Sequence, residues 1–99
     1  MIERDKILSK LLEEESGSNP GEIAKYTMLV TVKLTGVMAH RIRRFETCGL
    51  CRPARTESGH RLYSDVEIEL IKEIAMLEAE GVNLSGVKVI LRMRRNGRE

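Results

Sequence analysis

The stretch from Val37 to Ser64, VMAHRIRRFETCGLCRPARTESGHRLYS, contains the pattern that decides the fold of this chain. Its first part, residues 37–49, predicts an amphipathic helix, because apolar and polar side chains separate onto opposite faces at about 100° per residue. The apolar face holds Met38, Ala39, Ile42 and Phe45, and the opposite face holds His40, Arg43, Arg44 and Thr47. Gly49 is the expected end of this helix, since glycine is favoured just beyond a helix C-terminus.

The second part, residues 50–64, predicts a ribbon of two short strands. Extended apolar residues lie near its two ends, Leu50 on one side and Leu62 with Tyr63 on the other. A turn is expected at residues 57–59, where a glycine suits a tight connection.

The preceding segment, YTMLVTVKLTG at residues 26–36, is compatible with a strand or a helix. Val30, Thr31 and Val32 are β-branched and favour a strand, whereas Gly36 is typical of a helix end. A helix here, followed by the basic helix and the ribbon, gives the layout of a winged helix-turn-helix, whose second helix enters the DNA major groove. This layout favours the helix.

Two further helices are predicted after the ribbon. Ser64 and Glu67 form a capping box that begins the first of them, Gly81 ends it, and the second begins near Asn83. The expected buried positions are Leu70, Ile71, Ile74 and Leu77, then Val87, Ile90 and Leu91. The predicted fold class is therefore mostly α with a small β-ribbon wing.

Residues 1–25 are predicted to be an N-terminal appendage, an amphipathic helix over 5–15 followed by a turn-forming linker, with the domain itself over residues 26–99. A chain of 99 residues with 41% apolar side chains can build one small core. The sequence has neither an apolar run long enough for a membrane span nor a secretory signal, so a cytoplasmic location is expected.

Charge is distributed unevenly, although the formal net charge is only +2. Residues 38–61 carry six arginines against Glu46 and Glu57, a local charge of +4. Residues 65–80 carry six acids against Lys72, a local charge of −5. One face is therefore suited to a polyanion and another is not.

Cys48 and Cys51 are spaced C-x-x-C but are not expected to bind zinc or to act as a redox pair. A tetrahedral zinc site would need both histidines, and eight helical residues separate the backbones of His40 and Cys48 by about 12 Å. Redox pairs begin a helix, whereas Cys48 ends one. Both are interpreted as small residues at a helix end and in a linker, with a redox-sensitive switch as the alternative.

An enzymatic function is not expected either. The sequence contains no glycine-rich phosphate-binding loop, and no histidine lies in a motif with a nucleophile and an orienting carboxylate. Neither a cofactor nor a metal is expected.

The basic helix and the ribbon are instead predicted to bind double-stranded DNA. Because Ile42 and Phe45 anchor the helix, its basic face points outward, where arginines pair with phosphates. Met38, His40 and Arg41, nearest the helix N-terminus, are expected to reach base edges. The predicted DNA-binding residues are His40, Arg41, Arg43, Arg44 and Thr47 on the helix and Arg55, His60 and Arg61 on the ribbon.

Residues 26–94 resemble the MerR family of bacterial transcription regulators, through TGV, IRRFETCGL and RPARTESGHRLYS. Within that family, RPARTESGHRLYS and GVNLSGVKVILRMR are most similar to the HspR heat-shock repressors, with the glutamine-synthetase repressors as near relatives. The resemblance implies a winged-helix domain that binds inverted-repeat operators as a homodimer. It also implies Arg43 as a phosphate contact and Arg61 and Tyr63 as DNA-binding residues of the wing.

For HspR-like proteins the resemblance further implies repression of chaperone genes, with the DnaK chaperone as co-repressor and a place at the nucleoid. Leu29 and Met38 depart from the family, which has small or polar residues there, so two helices are expected to lack caps worth about 1 kcal/mol each. The family's long dimerisation helix and effector region are expected to be missing from this short form, so no drug- or metal-sensing role is implied.

Two alternative functions stay open at this point. An excisionase-like architectural module would also be small and winged, and would bend DNA at direct repeats. A protein-interaction module that has lost DNA binding would dock the acidic helix 65–80, or the apolar stripe of the N-terminal helix, on a partner. That stripe consists of Ile7, Leu8, Leu11 and Leu12.

Overall fold

The structure is a computed structural model that describes residues 20–97. These residues form a single 3-10 turn (Pro20–Glu22), four helices, α1 (Met28–Thr35), α2 (Ala39–Thr47), α3 (Asp65–Ala79) and α4 (Leu84–Gly97), and two strands, β1 (Ala54–Arg55) and β2 (Arg61–Leu62). The predicted mostly helical fold with a small β-ribbon is confirmed. The helix predicted over residues 5–15 lies outside the described residues.

Helix α1 forms in the segment whose local propensity was divided between strand and helix. Thr27 caps it, because the Thr27 hydroxyl accepts a hydrogen bond from the Val30 amide at 3.3 Å. At the other end Gly36 adopts a positive φ of 74° and donates its amide to the Val32 carbonyl at 2.8 Å. The expectation that this helix lacks a cap is therefore wrong, since the capping residue lies two positions before Leu29.

One buried side chain of α1 lacks a hydrogen bond. Thr31 is fully buried, and its hydroxyl has no hydrogen-bond partner. Leaving a buried hydroxyl unpaired destabilises the folded state, whereas valine fills nearly the same space without a polar atom. We expect Thr31→Val to raise the free energy of unfolding by about 1 kcal/mol, measured by urea denaturation.

Thr35→Val is the matched control for that prediction. The Thr35 hydroxyl donates to the Thr31 carbonyl at 2.8 Å and accepts from the Val37 amide at 3.1 Å. Because the same substitution here removes two hydrogen bonds, it is expected to lower the free energy of unfolding. Equal effects of the two variants would contradict the assignment of Thr31 as unsatisfied.

Helix α2 buries Ile42 and Phe45 completely, as its periodicity predicts. Met38 differs from the prediction, because it lies outside the apolar face and is 58% exposed. Its backbone is extended, so the helical angle does not apply to it, and as N-cap residue it makes no side-chain hydrogen bond. The expectation of an uncapped helix is confirmed here.

The wing, residues 54–62, is an antiparallel ribbon in which Ala54 pairs with Leu62 and Arg55 pairs with Arg61. Beyond the wing, Tyr63 forms a bridge to Tyr26, with Tyr63 donating its amide to the Tyr26 carbonyl at 2.7 Å. The chain entering α1 is thereby attached to the end of the wing.

Helices α3 and α4 complete the core. The capping box of Ser64 and Glu67 is present at the start of α3, and Gly81 follows its end with a φ of 99°. The Asn83 side chain accepts the Gly86 amide at 2.8 Å near the start of α4. The core cluster contains Val37, Ile42, Phe45, Cys51, Tyr63, Ile71, Ile74, Leu77, Leu84 and Val87, with Leu70, Ile90 and Leu91 partly buried against it.

Within residues 20–97, no helix is both long and apolar enough to cross a membrane.

Candidate nucleic-acid interface

The outward face of α2 is basic and polar. Since Ile42 and Phe45 are in the core, the opposite side of the helix is left in solvent. His40, Arg43, Arg44 and Thr47 are all exposed there. The helix therefore presents two unshielded guanidinium groups and an imidazole to any ligand that approaches this face.

A groove of about 580 Å³ lies between the start of α1, the outward face of α2 and the wing. Arg43 lines it from α2, and His60 and Arg61 line it from the wing. Thr27, Met28 and Leu29 form the α1 side, which sequence reasoning did not assign to the site. The guanidinium groups of Arg43 and Arg61 at this groove attract anions, and the hydroxyl groups of its lining can donate hydrogen bonds to them.

The tip of the wing is held by its own hydrogen bonds. The Thr56 amide donates to the His60 carbonyl at 2.8 Å, and the His60 amide donates to the Thr56 hydroxyl at 3.1 Å. The Ser58 hydroxyl lies 3.0 Å from Nδ1 of His60. Arg55 donates to the Gly59 carbonyl at 3.0 Å, so the exposed His60 is carried on an ordered turn.

Glu46 joins the wing to α2. Its Oε1 accepts from Nε of Arg61 at 2.6 Å, and its Oε2 accepts from Nη2 of Arg55 at 3.1 Å. The hydrogen bond from Arg61 is the main reason why the pKa of Glu46 lies below its usual value. Arg55 and Arg61, predicted from sequence to contact phosphate, are therefore partly engaged within the chain.

The position of Glu46 could have been read from the sequence. Glu46 follows Ile42 by four residues, which places it beside the buried face of α2 rather than on the outward face. From composition alone, Glu46 is only a negative charge among the arginines of residues 38–61. The position of Glu46 on the helix is therefore the signal in the sequence that identifies it as a partner for Arg55 and Arg61 of the wing.

Arg41 does not lie on the outward face. Its guanidinium donates to Glu78 of α3 at 2.8 Å and lies 5.9 Å from the centre of the Phe45 ring. In this conformation a carboxylate on the neighbouring helix holds the Arg41 side chain, so the expectation that Arg41 reaches DNA base edges is not supported by its position and stays a prediction.

Tyr63 is buried, unlike the other predicted DNA-binding residues of the wing. Its side chain is fully buried, and its hydroxyl lies 4.0 Å from the sulfur of Met28. Burial raises the pKa of Tyr63 to about 12. In this position the aromatic side chain supports the wing from within the core, and the prediction that Tyr63 binds DNA is not supported by its burial.

The two cysteines are free thiols. As predicted, Cys48 lies at the end of α2 and Cys51 lies in the connection between α2 and β1, but Cys51 is also a core residue, 4% exposed. Burial raises the pKa of Cys51 to about 12, so its thiol is protonated and unreactive at neutral pH. In the described part of the chain, no group of three or more histidine, cysteine, aspartate or glutamate side chains is arranged to hold a metal ion.

Comparisons with known proteins give matches to one family of regulatory proteins. The profile of the MerR HTH family of regulatory proteins matches residues 26–94. The heat shock protein HspR of Streptomyces coelicolor is 34% identical over 80 residues, covering 76% of this chain and 53% of that protein. The transcriptional regulator GlnR of Bacillus cereus is 34% identical over 70 residues, covering 71% of this chain and 54% of that protein.

A solved structure shows the same fold. It is the crystal structure of a MerR-family transcriptional regulator from Bacillus cereus, with a TM-score of 0.61 at 22% identity, and the match covers 67% of this chain and 50% of that one. The present chain therefore spans about half the length of the relatives and of the structure that it matches.

Proposed function

The chain belongs to the MerR HTH family of regulatory proteins and is thus a DNA-binding transcription regulator, and we propose that it represses stress or chaperone genes. The proposed mode of binding places α2 in the major groove of an inverted-repeat operator, with the wing against the flanking phosphates. The observation that carries the proposal is the exposed basic face of α2, which opens onto a groove shared with the wing.

The proposed contacts follow from the exposure of each side chain. His40 lies nearest the exposed start of α2 and is proposed to reach base edges. Arg43, Arg44 and Thr47 are proposed to position the helix through phosphates, and His60 is proposed to do so from the wing.

The proposed targets and partners rest on the likeness to HspR. We propose a homodimer on DNA, since one half-site offers few phosphate contacts, and a DnaK-type chaperone as co-repressor, acting in the cytoplasm at the nucleoid. Helix α1 supports a second candidate, a protein-interaction module, because three of its apolar side chains are exposed, Leu29, Val30 and Leu34.

Selection of genomic DNA fragments by the purified chain tests this function. We expect enrichment of one inverted repeat upstream of stress genes, with affinity that falls steeply as salt rises. Enrichment of direct repeats that the chain bends would favour an architectural module. Failure to retain any DNA at low salt, with co-purification of one protein, would favour the interaction module.

A further inference from the structure

The negative charge of the Glu46 carboxylate is unfavourable in a surface that binds DNA. It lies between α2 and the wing and is 25% exposed, close to the groove that Arg43 and Arg61 line. A negative charge here repels phosphate and partly neutralises two arginines that would otherwise release counterions on binding. For non-specific binding alone, the interface would be stronger without it.

The small size of the wing explains why a carboxylate lies at this position. Each of its strands is only two residues long, and a ribbon of that size is not stable on its own in water. Both strands of the wing are bonded to Glu46 of α2. The Glu46 carboxylate accepts one hydrogen bond from Arg55 of β1 and another from Arg61 of β2. A single carboxylate therefore fixes both strands relative to the helix.

We propose that Glu46 is a positioning residue that determines DNA specificity: it sets the register of the wing against α2 and lowers non-specific affinity in doing so. The inference rests on the proposed DNA-binding function. Specific binding requires α2 and the wing to meet their contacts together, whereas non-specific binding needs only positive charge.

Two substitutions test the charge of Glu46 and the length of its side chain independently. Glu46→Gln keeps the length and removes the charge, and Glu46→Asp keeps the charge but shortens the side chain by one methylene. Affinity is measured for the duplex enriched in the genomic selection and for a scrambled duplex of equal length. We expect Glu46→Gln to raise affinity for the scrambled duplex, and both variants to lower the ratio of specific to non-specific affinity by about tenfold.

Glu57→Gln is the matched control. Glu57 is exposed in the turn of the wing and takes part in none of the ion pairs found in residues 20–97. Removing this charge is expected to raise both affinities by the same factor and to leave their ratio unchanged. If Glu46→Gln and Glu46→Asp also leave the ratio unchanged, the proposal is overturned.

A measurement without DNA separates this proposal from the proposed function. Amide hydrogen exchange in Glu46→Gln is expected to become faster in residues 54–62 and to stay unchanged in α2, which also shows that the variant is folded. Unchanged exchange in the wing would overturn the positioning role. A wild-type chain that does not distinguish the selected duplex from the scrambled one would instead overturn the proposed function.

Discussion

Phe45→Ala is expected to remove about 3–5 kcal/mol from the free energy of unfolding, the largest loss among the substitutions considered for this chain. Phe45 is fully buried and is the one phenylalanine of the sequence. Truncating it leaves a cavity in the core that joins α2 to the buried side chains of α3. Because a domain of this size is stable by about 5–15 kcal/mol in total, the variant should lose a large part of its stability and unfold at a lower temperature than the wild type.

Thermal unfolding followed by circular dichroism measures this effect. Met76→Ala, a truncation at a side chain of α3 that is 52% exposed, is the matched control and is expected to change the free energy of unfolding by less than about 0.5 kcal/mol. A loss at Phe45 as small as that of the control would mean that α2 is not anchored in the core through this ring.

The same packing explains which features were predictable from the sequence. Helix α2, the wing turn and the capping box of Ser64 and Glu67 depend on residues within a few positions of one another. Local periodicity and turn chemistry determine them, so a single sequence is sufficient to predict them. Helix α1 was ambiguous locally and became predictable only through the order of the neighbouring elements.

The site predictions that the structure does not support concern contacts between residues distant in the sequence. Arg41 pairs with Glu78, 37 positions away, and the Tyr63 hydroxyl lies against Met28, 35 positions away. Helical angles specify which face of an element a residue occupies, but not which side chain of another element lies opposite. Arg41 therefore looked like a free cation in the sequence and is a paired one in the structure.

These pairings reduce the number of free cations at the interface. Arg41, Arg55 and Arg61 each donate to a carboxylate within the chain. Arg43 and Arg44 belong to no ion pair found in residues 20–97. We therefore expect a single chain to neutralise few phosphates, and most of the electrostatic attraction of the α2 face to depend on these two arginines.

Arg43→Glu is accordingly expected to weaken binding to the selected duplex by about 100-fold at moderate salt. Arg43 is exposed on α2 and lines the groove toward the wing. Reversing its charge removes one charge-assisted contact and introduces one repulsion, each worth about tenfold in affinity. The slope of log affinity against log salt should become shallower by at least about 0.9, the value for one phosphate contact.

Lys72→Glu makes the same change of charge on the exposed side of α3, away from the groove, and is the matched control. If net charge alone drove binding, the two variants would weaken it equally and flatten the salt dependence equally. If α2 contacts the phosphates, Lys72→Glu stays within about twofold of wild type, because Lys72 does not line the groove and salt screens charges that make no direct contact with a phosphate. Titration of both variants against one labelled duplex at several salt concentrations distinguishes a defined protein–DNA interface from general attraction to a basic chain.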